Sequence, residues 1–156
     1  MNKIKIYILL FLATSLLAIP NPPDLGVGSY ILYEPNTKKI LVSYNSDEPV
    51  EPASLTKLMT SYVVADYLKE DFINITDEPK ISVKAWKTKG SRMFIREGTN
   101  VRVSDLIKGM IIQSGNDASV ALAEHVAGSE DNFAYLMNEY ASELGMANTS
   151  FNNATG

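Results

Sequence analysis

Cysteine is absent from the 156 residues. That excludes disulfides, thiolate metal sites and lipid attachment through an N-terminal cysteine. Histidine is almost absent: His125 stands alone, and no Cys/His/carboxylate cluster has metal-ligand spacing, so neither a metal nor another cofactor is expected. Long apolar runs are missing as well. Ile6 to Leu12 is unbroken but well short of the roughly 20 residues that span a bilayer. Positive charge is scarce, with 14 Lys and Arg against 18 Asp and Glu for a net charge of −4. An acidic chain argues against nucleic acid or an anionic membrane surface as partner. There are no internal repeats and no low-complexity tract.

What is present begins with a leader. Lys3 and Lys5 precede the apolar run, and Leu16-Leu17-Ala18 ends on a small residue before Pro20. This pattern reads residues 1–18 as a secretory signal peptide. Leu16 is large for a cleavage site, so retention as an N-terminal anchor stays open. Losing Lys3 and Lys5 with the leader takes the net charge from −4 to −6. A chain that is both exported and cysteine-free suits a bacterial envelope, periplasm included. Residues 19–156 have the length of one domain or a piece of one.

Two β-rich runs come first, Val27 to Tyr33 and Lys39 to Tyr44, separated by the turn residues Glu34-Pro35-Asn36-Thr37; they predict a hairpin. A lone hairpin is marginal in water and needs covering, so exposed edges and low stability are expected. Residues 71–100 read as a long loop with a short strand pair turned at Glu97-Gly98-Thr99-Asn100; Ile81-Ser82-Val83 fits either a strand or a helix start. Three helices follow. Ser104-Asp105 caps the first, with Leu106, Ile107, Met110 and Ile111 as its apolar stripe. The second is alanine-rich and stops at Gly128. The third opens at Glu130-Asp131, carries Phe133, Leu136, Met137, Tyr140 and Leu144, and ends at Gly145.

The chemistry is concentrated in Glu51-Pro52-Ala53-Ser54-Leu55-Thr56-Lys57. Proline favours the first helical turn, and the apolar positions Leu55, Leu58, Met59, Tyr62 and Val63 predict a helix to about Glu70. Lys57 stands three residues after Ser54, so both side chains share one face. A serine hydroxyl is a weak nucleophile unless a base sits within hydrogen-bond reach, and an uncharged lysine is such a base. The bland alternative is a capping serine with a solvated lysine. With 14 Ser and 11 Lys, about one Ser-x-x-Lys arises by chance.

A second constellation, Ser114-Gly115-Asn116, interrupts two apolar helices. Ser and Asn there could simply cap the next helix. Ser-x-Asn also recurs at Ser43-Tyr44-Asn45 and Ser150-Phe151-Asn152. What distinguishes 114–116 is its place in a tight interhelical turn, which can hold a hydroxyl and an amide rigidly at the mouth of a cleft.

Ser54-Leu55-Thr56-Lys57 and Ser114-Gly115-Asn116, about 60 residues apart, resemble the first two motifs of the penicillin-recognising serine enzymes, closest to the D-alanyl-D-alanine carboxypeptidases among the low-molecular-mass penicillin-binding proteins. PASLTKLMTSYVV, GSRMFIREG, LIKGMIIQSGNDASVALAEHVAGSEDNFAYLMN and LGMANTSFNNATG extend the likeness over residues 24–156. The resemblance implies an α+β fold of the β-lactamase/transpeptidase kind, a helical lobe with an antiparallel sheet, here incomplete. It implies that Ser54 is the nucleophile, that Lys57 takes its proton, that Ser114 relays a proton to the leaving amine, and that Asn116 orients the substrate backbone or the Lys57 amine. The partners it implies are D-Ala-D-Ala stem peptides of peptidoglycan and β-lactams. Met93-Phe94 either line the cleft or pack.

The departure from that family is its third motif, Lys-Thr-Gly, which is absent; Lys87-Thr88-Lys89-Gly90 is a near-match on the wrong side of Ser114. These residues are therefore expected to be the N-terminal part of a catalytic domain, inactive alone. Membrane association would come through a C-terminal part beyond these residues or through an uncleaved leader. Two other readings stay open. A β-lactamase would need a deacylating Glu-x-x-Leu-Asn loop, which Glu143-Leu144-Gly145-Met146 does not match. A non-catalytic remnant would bind the cell wall without cutting it.

Overall fold

The computed structural model describes residues 22–156; the leader expected over 1–18 lies outside the described residues. The chain divides into two compact units, one extending to Glu48 and the other spanning Pro49–Gly156.

The first unit is the hairpin. Strands β1 (Tyr30–Glu34) and β2 (Lys39–Tyr44) pair antiparallel, with Tyr30 opposite Tyr44 and Glu34 opposite Lys39. β1 starts three residues later than its sequence run suggests. A bulge after Leu32 shifts the register by one residue. Glu34 closes the turn by accepting from the Asn36 and Thr37 backbone N–H groups. The Tyr30 and Tyr44 rings stack with centroids 5.8 Å apart, a cross-strand pair that clamps the open end.

The second unit is helical: α1 (Thr56–Lys69), α2 (Val83–Lys87), α3 (Val103–Gln113), α4 (Asn116–Ala127) and α5 (Glu130–Glu143). α4 is its axis and packs against the other four. Residues Asp117 to Ala123 are all buried there. Ala118, Ala121 and Ala123 have no side chain beyond Cβ, so neighbouring helices can approach closely. Around them Val63, Val64, Leu106, Met110, Leu122, Phe133 and Met137 form the core.

Helix ends differ in places from the sequence expectation. Ser104-Asp105 does not cap α3: the helix begins at Val103, and the free N–H groups of Val103 and Ser104 donate to the Asp77 and Ile75 carbonyls. A neighbouring loop thus does the work of a cap. Ser82 does cap a helix, accepting from Ala85 N–H at the start of α2, and Ser129 caps α5. Gly128 ends α4 at φ 77° as expected of a C′ glycine. The expected strand pair in 71–100 shrinks to one bridge, Lys80 opposite Asn100. Ile111 and Leu144, assigned inward from the sequence, are exposed. No helix among the described residues is long and apolar enough to cross a membrane.

Candidate active site

Pro52 leads into a single 3-10 turn, Ala53–Leu55, which runs directly into α1. Ser54 therefore sits just before the helix, exposed, while Lys57 lies in its first turn with only 6% of its surface accessible. The inward stripe of α1 is only partly the apolar one read from the sequence: Met59 and Val63 are buried as expected. Thr56, Lys57, Met59, Thr60, Val63 and Val64 are buried; Leu55, Leu58 and Tyr62 face outward. On this inward face the Thr60 hydroxyl donates to the Ala154 carbonyl and the Lys57 amine meets that of Thr155.

Ser114 arrives from the other side, between α3 and α4. It adopts the left-handed conformation, φ 53° and ψ 36°, which costs a non-glycine residue on the order of 1 kcal/mol. Its hydroxyl caps neither helix. It lies 3.2 Å from Lys57 Nζ and 3.1 Å from Ser54 Oγ, while Lys57 Nζ lies 3.1 Å from Ser54 Oγ. Three polar groups thus close a triangle in which every pair is within hydrogen-bond reach. Hydroxyls and an uncharged amine each donate and accept, so donors can circulate round it in either sense.

Burial pushes the Lys57 amine below the ordinary lysine value of 10.5. No salt bridge among the described residues engages it. A carboxylate partner would favour the charged form; without one, desolvation favours the uncharged form.

Asn116 is placed beside this triangle in sequence but bonds elsewhere. Its amide nitrogen donates to the Lys89 carbonyl at 2.7 Å, and its backbone N–H donates to that of Ser91; it makes no hydrogen bond to Lys57. Gly90 makes that approach possible. At φ 93°, a Cβ there would lie 2.5 Å from the Asn116 amide nitrogen. The near-motif Lys87-Thr88-Lys89-Gly90 thus lies against the Ser114 turn, its Lys89 contributing a backbone carbonyl.

The residue that sequence reading missed is Asp117. It is fully buried, and its carboxylate accepts from Met93 N–H at 3.0 Å, Ile95 N–H at 3.2 Å and Ala118 N–H at 2.9 Å, with Arg92 Nε at 4.0 Å. It pins the 91–95 segment over the Ser114 turn. Phe94, between the two pinned N–H groups, stands exposed at φ 65° under the Arg92 guanidinium. Met93 is half-buried and packs against the core. The available signal was an acid in the first turn of α4, where the helix dipole favours it. His125 pairs with Asp77 at 3.0 Å.

Residues 17–156 match the D-alanyl-D-alanine carboxypeptidase family. The D-alanyl-D-alanine carboxypeptidase DacC of Escherichia coli K12 is 48% identical over 140 residues, 86% of this chain and 35% of that protein. DacF of Bacillus subtilis 168 is 44% identical over 128 residues, 82% of this chain and 33% of that protein. Among solved structures, penicillin binding protein 5 of Haemophilus influenzae superposes with a TM-score of 0.84 at 43% identity, covering 88% of this chain and 41% of that one. DacD of Francisella tularensis gives 0.85 at 38% identity, covering 90% and 34%. The chain spans about a third of the length of the curated relatives it matches. The paired Ser-x-x-Lys and Ser-x-Asn segments and the partial α+β fold place this chain in the D-alanyl-D-alanine carboxypeptidase family.

Proposed function

We propose that these residues carry the nucleophile and base of a serine-type D-Ala-D-Ala carboxypeptidase that trims peptidoglycan stem peptides and is acylated by β-lactams. The observation that carries this reading is the closed Ser54–Lys57–Ser114 triangle around an amine that burial keeps below its usual basicity. Ser54 Oγ attacks the penultimate D-alanine carbonyl as its proton passes to Lys57 Nζ. Ser114 then hands a proton to the departing D-alanine amine and takes one from Lys57, so the C–N bond breaks and an acyl-ester remains. Water hydrolyses that ester and returns Ser54 to its hydroxyl. The developing oxyanion lies beside the Ser54 N–H, which in a first turn has no intrahelical partner. Asn116, held by Lys89, presents its remaining amide oxygen to the substrate backbone.

In this reading residues 1–18 are a leader, residues 19–156 are the N-terminal part of the catalytic domain, and the working place is a bacterial periplasm or cell envelope. Residues 1–156 contain no Lys-Thr-Gly to receive the substrate carboxylate, so these residues alone acylate slowly and turn over little. The test is a fluorescent penicillin followed by mass spectrometry. Stoichiometric label on Ser54, lost in Ser54→Ala, is the expected result. A Ser54→Ala protein that labels as well as its parent overturns the reading, and rapid hydrolysis of a chromogenic cephalosporin would favour a β-lactamase instead.

A further inference from the structure

The geometry points to Asn153 as a positioning residue for the Lys57 amine, acting through the carbonyl of Thr155. This rests on the reading of Lys57 as the base.

An uncharged amine has two N–H bonds and one lone pair. Lys57 Nζ has three neighbours: the hydroxyls of Ser54 and Ser114, and the Thr155 carbonyl at 3.3 Å. A hydroxyl can donate or accept, but a carbonyl oxygen only accepts. Thr155 therefore takes one N–H. What remains, one N–H and the lone pair, divides between Ser54 and Ser114, so the lone pair always faces a serine proton. Without the carbonyl, both N–H bonds can point at the serines and the lone pair is wasted.

The carbonyl itself sits in a segment with no helix or strand, and side chains hold it. Asn153 Oδ1 accepts from Thr155 N–H at 2.9 Å, Thr155 Oγ1 at 3.1 Å and Gly156 N–H at 2.6 Å. One amide oxygen thus sets both peptide units that flank Thr155. The preceding residue is fastened separately: Ala154 N–H donates to Glu130 Oε1, Ala154 O accepts from Thr60, and Asn138 takes both backbone groups of Phe151. Ala154 is fully buried, so the anchor survives without Asn153, while Thr155 becomes free to turn its carbonyl away. Gly156 runs so close to Ala53 that a Cβ on it would lie 1.9 Å from the Ala53 carbonyl oxygen, which puts this segment against the turn carrying Ser54.

No ionisable side chain pairs with Lys57 from α1, from the Ser114 turn or from residues 153–155, so no counter-ion competes with the carbonyl for its charge, and burial is what lowers its titration. A carbonyl oxygen favours the ammonium form, and losing it lowers the midpoint. The experiment is a pH titration of lysine side-chain NMR signals in the full chain, Lys57 assigned by its absence in Lys57→Arg. Asn153→Ala is expected to move the Lys57 midpoint down by about half a unit or more and to slow acylation by penicillin about tenfold. Asn153→Ser, which keeps a short acceptor in a similar turn, is expected to lie between Ala and parent; Asn153→Asp, which accepts the same three donors, restores the midpoint to the parent value or above. An unchanged midpoint in a folded Ala or Ser variant, or loss of the fold in both, overturns the assignment. If even the parent forms no Ser54 adduct, the carboxypeptidase reading falls, while the Lys57 titration still decides the role of Asn153.

Discussion

The hydroxyl of Ser114 lies 3.1 Å from that of Ser54, although 60 residues separate them in the chain. Each also touches the Lys57 amine, so a proton leaving one serine can reach the other through a single nitrogen.

The proposed role of Lys57 as the base can be tested directly. Lys57→Arg keeps the charge of the side chain but cannot lose its proton, and is expected to slow penicillin acylation by roughly a hundredfold or more. In the parent, acylation should rise with pH through a midpoint below 10.5 and level off above it, because in the proposed mechanism the reactive amine is the uncharged one. The folded amine releases its proton more readily than the unfolded one, so the unfolded chain binds more protons between the two midpoints. Stability accordingly rises with pH across that window. Stopped-flow acylation and urea unfolding at several pH values check both slopes.

Asp117 makes a strong structural prediction. Asp117→Ala leaves the Met93 and Ile95 N–H groups without an acceptor and Arg92 without its nearest carboxylate. Loss of about 3 kcal/mol is expected, with Asp117→Asn milder because one amide oxygen can still accept. Chemical denaturation measures the loss, and faster amide exchange at Met93 and Ile95 would localise it.

At the hairpin, hydrogen bonds from Thr37 and Asn36 hold the Glu34 carboxyl down to about 2 from its usual 4.5. A depressed carboxylate contributes stability that is present above 4.5 and is lost as pH falls toward about 2. The Thr37 amide proton should therefore titrate by NMR with a midpoint near 2, and Glu34→Gln should abolish that titration.

Much of this arrangement was legible in the chain because it is local. A helical repeat puts Lys57 one turn from Ser54 whatever surrounds them. Pro52 and Gly128 mark helix ends through their own backbone preferences. The hairpin follows from two β-branched runs and a polar turn between them. The inward face of α1 was only half legible. Hydrophobic patterning pointed to Met59 and Val63, which are buried, but also to Leu55, Leu58 and Tyr62, which face outward.

By itself, then, the sequence determined which hydroxyl and which amine share a helical turn, and where most helices begin and end, since neighbours along the chain decide those. The tertiary structure decided that Lys57 is buried with no salt-bridge partner among the described residues, that Ser114 rather than Asn116 meets it, and that the Thr155 carbonyl joins its partners. These contacts join residues 57 and 98 positions apart, and desolvation exists only once such distant segments have closed around the amine.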